Sequence, residues 1–164
     1  MNRLKIALLL LIGSVGTGVY AQEHSGMNPG NEKHIMVNTD KLEWMDAPAG
    51  LPKGAKVAVL EGNPSEAGPF TIRLQLPAGY EVKPHWHPAI EHVSVLEGEF
   101  FMGTGETFNK DKAMKLAEGG FAAMPAKYVH FAFTNTGGIL QLHGIGPWGI
   151  TYVNAKDDPR NSAQ

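Results

Sequence analysis

The segment Phe70-Thr71-Ile72-Arg73-Leu74-Gln75-Leu76 alternates apolar and polar side chains without a break. A period of two belongs to a strand with one face buried. An amphipathic helix would repeat its apolar positions every three or four residues. Pro77-Ala78-Gly79 stops the run. Short apolar segments of the same kind recur at 56–60, 83–87, 91–96, 99–103, 121–124, 128–134, 139–144 and 150–153, and Gly or Pro marks nearly every junction. The 20 glycines and 11 prolines supply these turns. Many short strands at regular spacing predict an all-β antiparallel sandwich or barrel rather than βαβ units. Asn109 to Leu116 is the one short helix-like piece.

The 164 residues are a one-domain length, and a net charge of −2 excludes a basic nucleic-acid binder, which needs clustered Lys and Arg. The absence of cysteine excludes disulfides and thiolate chemistry, so any metal site must use His and carboxylate. At the N-terminus, Arg3 and Lys5 precede the apolar run Ile6 to Ile12, and Val19-Tyr20-Ala21 offers small residues at a cleavage position. This is the pattern of a secretory signal over 1–21. The apolar run is shorter than the ~18 residues of a spanning helix, so no stable membrane anchor is expected. A flexible lead (22–32), a body (33–154) and a loose polar tail (155–164) follow. The expected location is periplasmic or secreted.

The chemistry lies between Gly79 and Gly98. His85 and His87 stand two apart on a predicted strand, so they project to the same face and can grip one ion. Pro84 and Pro88 bracket them and stiffen the chain. After a turn, Glu91 opens the next strand, where its carboxylate can reach the same ion. Two His and one carboxylate on one side of a metal leave coordination positions open. His92, one residue on, faces away.

A second segment places Gly119, Pro125, Lys127, His130 and Thr134 at spacings of their own. Together the two segments resemble the paired motifs of the cupin superfamily. The first fits at all five defining positions. The second fits at Gly119, Pro125 and His130 and departs at Lys127, where the family usually has glycine, and at Thr134, where it usually has asparagine. The wider sequence is similar to single-domain exported bacterial cupins. The resemblance implies a jelly-roll β-barrel with His85, His87, Glu91 and His130 as ligands to one divalent transition metal: Fe, Mn, Ni, Cu, Co or Zn.

Inward strand faces are expected to give an apolar pocket from Ile72, Leu74, Val93, Val95, Met102 and Met124, with Trp148 and Tyr152 near its mouth. Such a pocket suits a small ligand with a chelating oxygen pair and an apolar body. Glu91 and His143 are the candidates for acid–base work, although the parity of His143 on its strand is open. If His130 faces in, Phe131 and Phe133 face out beside Trp86, and cover from the segment 35–45 or from a homodimer partner is expected. Two functions fit: a small-molecule enzyme of dioxygenase or isomerase type, and a non-catalytic metal or ligand binder or sensor. Intact mass of the exported protein should show a chain beginning at Gln22. A form retaining Met1 contradicts the signal-sequence reading.

Overall fold

The computed structural model describes residues 34–161, and all of these except His34 belong to one unit, Ile35–Gln164. The expected signal sequence and the lead at 22–32 lie outside the described residues. Eleven strands are described: β1 (Met45–Asp46), β2 (Lys56–Glu61), β3 (Gly68–Leu76), β4 (Glu81–Trp86), β5 (Glu91–Gly98), β6 (Phe100–Thr104), β7 (Met114–Leu116), β8 (Phe121–Met124), β9 (His130–Phe133), β10 (Gly138–Gly146) and β11 (Thr151–Tyr152). They form two antiparallel sheets, in the orders β1-β2-β3-β10-β5-β8 and β11-β4-β9-β6-β7. This is the all-β antiparallel arrangement expected from the strand pattern and the jelly roll that the resemblance implies, with sequence-distant strands brought side by side.

The alternation in β3 does what its period requires. Phe70, Ile72, Leu74 and Leu76 are all buried, whereas Thr71, Arg73 and Gln75 are not. Across the first sheet Leu74 pairs with Leu140, and Leu140 with Val95. The next inward row runs Ile72, Leu142, Val93 and Ala122. From the second sheet, Val82, Ala132 and Met102 form a facing row. These rows close into one core, and their burial from water is the main favourable term in folding.

Three expectations are corrected. The helix-like piece at 109–116 is one 3-10 turn, Lys110–Lys112, where the Asn109 side chain accepts the Asp111 N–H. The rest of it is β7, drawn into register with Phe100–Met102. The tail is not loose through Asn161. Two 3-10 turns are held by Arg160, which donates to Ile150 O and Asp158, and by Asn161 donating to Ala155 O.

The third correction concerns the outer face of β9. Phe131 and Phe133 do point away from the barrel interior, yet both are buried. Both rings are covered within the single chain, while Ile35, Met36 and Val37 of the segment 35–45 are exposed. Phe108 packs on both rings at 5.0 and 6.0 Å, and Phe101 stacks on Phe133 at 4.7 Å. Lys83 lies over the Phe108 ring, and Glu81 pairs with both Lys83 and Lys110. The homodimer expectation therefore no longer draws on Phe131 and Phe133, and Trp86, the third aromatic behind it, is half-buried.

This outer layer is tight. A Cβ at Gly103 would meet the Phe131 ring at 2.1 Å. Gly103→Ala must displace a fully buried aromatic and should lower the unfolding free energy by about 2–3 kcal/mol. Urea unfolding measures this, and an unchanged midpoint would show that the layer yields freely.

Candidate metal centre

The two motifs meet across strands. His85 in β4 is the direct antiparallel partner of His130 in β9, so their rings share the interior face with centroids 4.2 Å apart. His87 lies just past the end of β4. Glu91 comes from the other sheet, as the first residue of β5, and the cluster therefore spans both layers of the barrel. All four side chains are at least 95% buried.

A local irregularity makes this arrangement work. The pairing of β4 with β9 slips between Val82 and His85. These two are three positions apart, an odd spacing, yet both line the interior cavity. Pro84, which has no N–H to give a ladder, sits inside the slip. Across the mouth of the site, Lys127 N–H donates to His87 O at 2.8 Å and ties the second motif to the first. Lys127 has φ of +62°, the conformation a glycine adopts freely and another residue adopts at about 1 kcal/mol or more. The departure from the usual glycine therefore leaves the turn geometry intact. Thr134, at the other departure, accepts the Gly137 N–H with its hydroxyl and donates its own N–H to Tyr80 O.

Each imidazole is aimed by a backbone carbonyl. Nδ1 of His85 lies 2.7 Å from Lys83 O, Nδ1 of His87 2.7 Å from Gly149 O, and Nδ1 of His130 3.0 Å from Tyr128 O. A carbonyl only accepts, so every Nδ1 carries the proton and every Nε2 of a neutral ring presents a lone pair. One nitrogen from each ring lies within 4.8 Å of the others. Glu91 faces the same point, with Oε2 3.2 Å from His130 Nε2 and Oε1 3.5 Å from His87 Nε2. Three lone pairs and a carboxylate thus converge in a buried space, and His87 Nε2 has no hydrogen-bond partner at all. A divalent cation satisfies every one of these atoms at once. The residues fit the metal that the motifs imply, and the Nδ1–carbonyl bonds are the supports that orient such ligands.

The protonation pattern agrees. Burial, then the neighbouring His130 and His87, push His85 down to about 3, against the pull of its bond to Lys83 O and of Glu91. Burial likewise lowers His87. Burial alone would raise Glu91, but the contact with His130 and the neighbouring imidazoles outweigh it and hold the carboxyl below its usual range. At neutral pH His85 and His87 are neutral and Glu91 is ionised, the forms that ligate a metal without first releasing a proton.

A family model described as the ChrR cupin-like domain matches residues 32–142. The chain belongs to the cupin superfamily through this family. No curated protein matches it. Among solved structures, the cupin is similar to an RmlC-like cupin from Shewanella frigidimarina (TM-score 0.54, 23% identity, 70% of this chain and 91% of that one). It is also similar to the polyketide cyclase RemF from Streptomyces resistomycificus (0.65, 14%, 77% and 90%). A third likeness is to an acetylacetone dioxygenase from Acinetobacter johnsonii (0.57, 14%, 78% and 82%). At these identities the structural likeness bears on the fold alone.

The expected pocket is partly redrawn. Leu74, Val93, Met102 and Trp148 line the cavity beside the four polar residues. Ile72 and Val95 are buried in the core behind the lining. Met124 pairs with Glu91 across β5 and β8 but stays half-buried at the edge strand. Tyr152 packs behind His85, 5.9 Å between ring centroids, with its hydroxyl donating to Gly50 O at 2.9 Å. His143 is corrected outright. Leu140 and Leu142 face the cavity, so His143 faces the opposite side of β10, where it stacks on His92 at 4.7 Å. It is not among the cavity residues. Sequence reasoning missed Leu51, Leu76, Tyr80, Val82, Phe100, Ala132, Leu140, Leu142 and Ile150. Leu140 and Leu142 could be placed only once β10 was in register with β3, because the parity of that strand is open in the sequence. Leu51 and Ile150 sit in irregular segments that carry no periodic signal.

The buried histidines also set an acid limit. His85 is lowered in the folded state, so below the ordinary imidazole value of 6.5 the unfolded chain binds the proton that the folded one refuses. Stability should therefore fall as pH drops from 6.5 toward 3, and His85 alone accounts for about 2 kcal/mol at pH 5. Glu91 acts in the same direction at lower pH. Chelator-stripped protein, melted at pH 7.5 and pH 5, should show this loss. An unchanged melting temperature would mean that the imidazoles are not held neutral.

Proposed function

We propose that this exported cupin is a metal-dependent enzyme of dioxygenase or isomerase type. It acts on a small, mostly apolar molecule that binds through a pair of oxygens. The observation that carries the proposal is the convergence of three carbonyl-oriented imidazoles and Glu91 at one end of a cavity whose other lining is almost wholly apolar. A divalent metal held there by His85, His87, Glu91 and His130 would supply Lewis acidity and open coordination positions, and with iron, manganese or copper a route to oxygen chemistry.

The chain's own residues do the rest. The apolar rows Leu74–Leu140 and Val93–Leu142 exclude water and accept the hydrocarbon body of the substrate. The room is small, with space for only a few water-sized molecules. Among the described residues Glu91 is the one carboxylate that lines the cavity, and it is the candidate to hold a proton from a bound acidic C–H or O–H. The acetylacetone dioxygenase among the structural neighbours makes a β-dicarbonyl the first compound to try.

One observation favours a second reading, a non-catalytic metal or ligand binder. With His143 on the outer face, the acid–base side chains that line the cavity among the described residues are Glu91, the three ligand histidines and Tyr80, whose hydroxyl is already given to Pro52 O. An oxygen electrode separates the readings. Iron(II)-loaded protein with acetylacetone should consume oxygen, and a His85→Ala/His87→Ala double variant should bind less than a tenth as much metal and consume none. Stoichiometric metal in the wild type with no oxygen uptake, and no isomerisation of the added diketone, would favour the binder.

A further inference from the structure

Trp148 stands in the cavity wall beside the ligand histidines. Its ring is stacked on His87, with centroids 4.3 Å apart and planes 15° apart, and it packs against Phe70 at 5.7 Å. The loop that carries it is fixed on both sides. Trp148 N–H donates to Pro64 O at 2.6 Å, and Gly149 O accepts the Nδ1 proton of His87. The indole is thus a rigid neighbour of a ligand histidine and part of the cavity wall.

Its Nε1–H is buried and has no hydrogen-bond partner. The other polar side chains of the cavity are engaged. Tyr80 donates its hydroxyl to Pro52 O at 2.7 Å, the Nδ1 atoms of the three histidines are spent on carbonyls, and Glu91 only accepts. Among the described cavity residues the indole N–H is therefore the one side-chain donor left over. A buried donor without an acceptor costs about 1–3 kcal/mol, and such a group in a native structure calls for an explanation. Two orphaned nitrogens, His87 Nε2 and Trp148 Nε1, belong to residues that line this cavity and to the two rings of one stack.

The geometry points to Trp148 Nε1–H as the donor to an oxygen of the ligand held at the metal centre. This inference rests on the metal-centre reading above and narrows its substrate. The ligand needs one acceptor oxygen beside the oxygen that meets the metal, and an apolar remainder. A β-dicarbonyl enolate or an α-hydroxyketone has this pattern. A sugar or other polyol does not, because its several hydroxyls would meet no further partners in this cavity. Trp148 is then a specificity-determining residue, and the bland alternative is a tryptophan that serves only as packing.

The zinc-loaded chain can be titrated by calorimetry with acetohydroxamate, a small chelator with two adjacent oxygens. Trp148→Phe keeps a ring against His87 and deletes the N–H. It should take up zinc as the wild type does but bind acetohydroxamate roughly five- to tenfold more weakly, the loss of one buried hydrogen bond. In parallel, one of the three indole proton resonances of the wild type should move downfield when acetohydroxamate is added. This second readout stands even if the variant folds poorly. Equal affinity in Trp148→Phe, an indole set that does not move, or zinc-loaded wild type that ignores acetohydroxamate each overturns the role of Trp148. Failure of the wild type to hold zinc at all would instead fail the metal-centre reading itself, and the inference with it.

Discussion

Three hydrogen bonds from imidazole Nδ1 to backbone carbonyls determine what this barrel can do. Without them a buried histidine could choose either tautomer and several ring orientations. With them, His85, His87 and His130 each present Nε2 toward the same point. Two of the accepting carbonyls, Lys83 and Tyr128, lie two residues before their own histidine. The third, Gly149, comes from a segment sixty-two residues away. The site is therefore not a local motif alone. It needs the late loop to close over the early strand before His87 is oriented.

The two-sheet construction explains why so polar a cluster is tolerated in an apolar interior. Histidines from the second sheet face a carboxylate from the first, and each brings backbone support with it. The lone pairs left pointing at one another are a cost in the metal-free protein. Buried polar groups of this kind are stable when every member is satisfied and costly when the set is half complete. A cation at the centre would complete the set, and its binding would then be coupled to folding.

Much of this was legible in the sequence, and the limits were physical. The alternation from Phe70 to Leu76 and the glycine and proline punctuation gave nearly every strand, because a period of two is a direct consequence of backbone geometry. The ligand spacing gave His85, His87 and Glu91 for the same reason. Parity failed where the ladder does. The slip between Val82 and His85 puts two residues of opposite parity on one face, and no count by twos reveals it. His143 could be placed only once β10 had a register, with Leu140 opposite Leu74. The cover on Phe131 and Phe133 came from Phe108, and such a contact is decided by three-dimensional closure rather than by pattern. Short strands such as Met114–Leu116 follow their partner: a lone three-residue segment has too little of its own to pack.

Lys127 shows how the usual glycine can be lost without losing the turn. A left-handed backbone at a lysine is a local cost, and it persists only where surrounding contacts over-determine it. Here the Lys127 N–H is fixed on His87 O, and three residues later the chain must deliver His130 to its partner His85. The strained residue thus lies on the short path that connects two ligands. The glycine of the motif is an economy rather than a requirement. What the site requires is the dihedral angle, and any residue held there by the His87 carbonyl preserves the geometry on which the coordination depends.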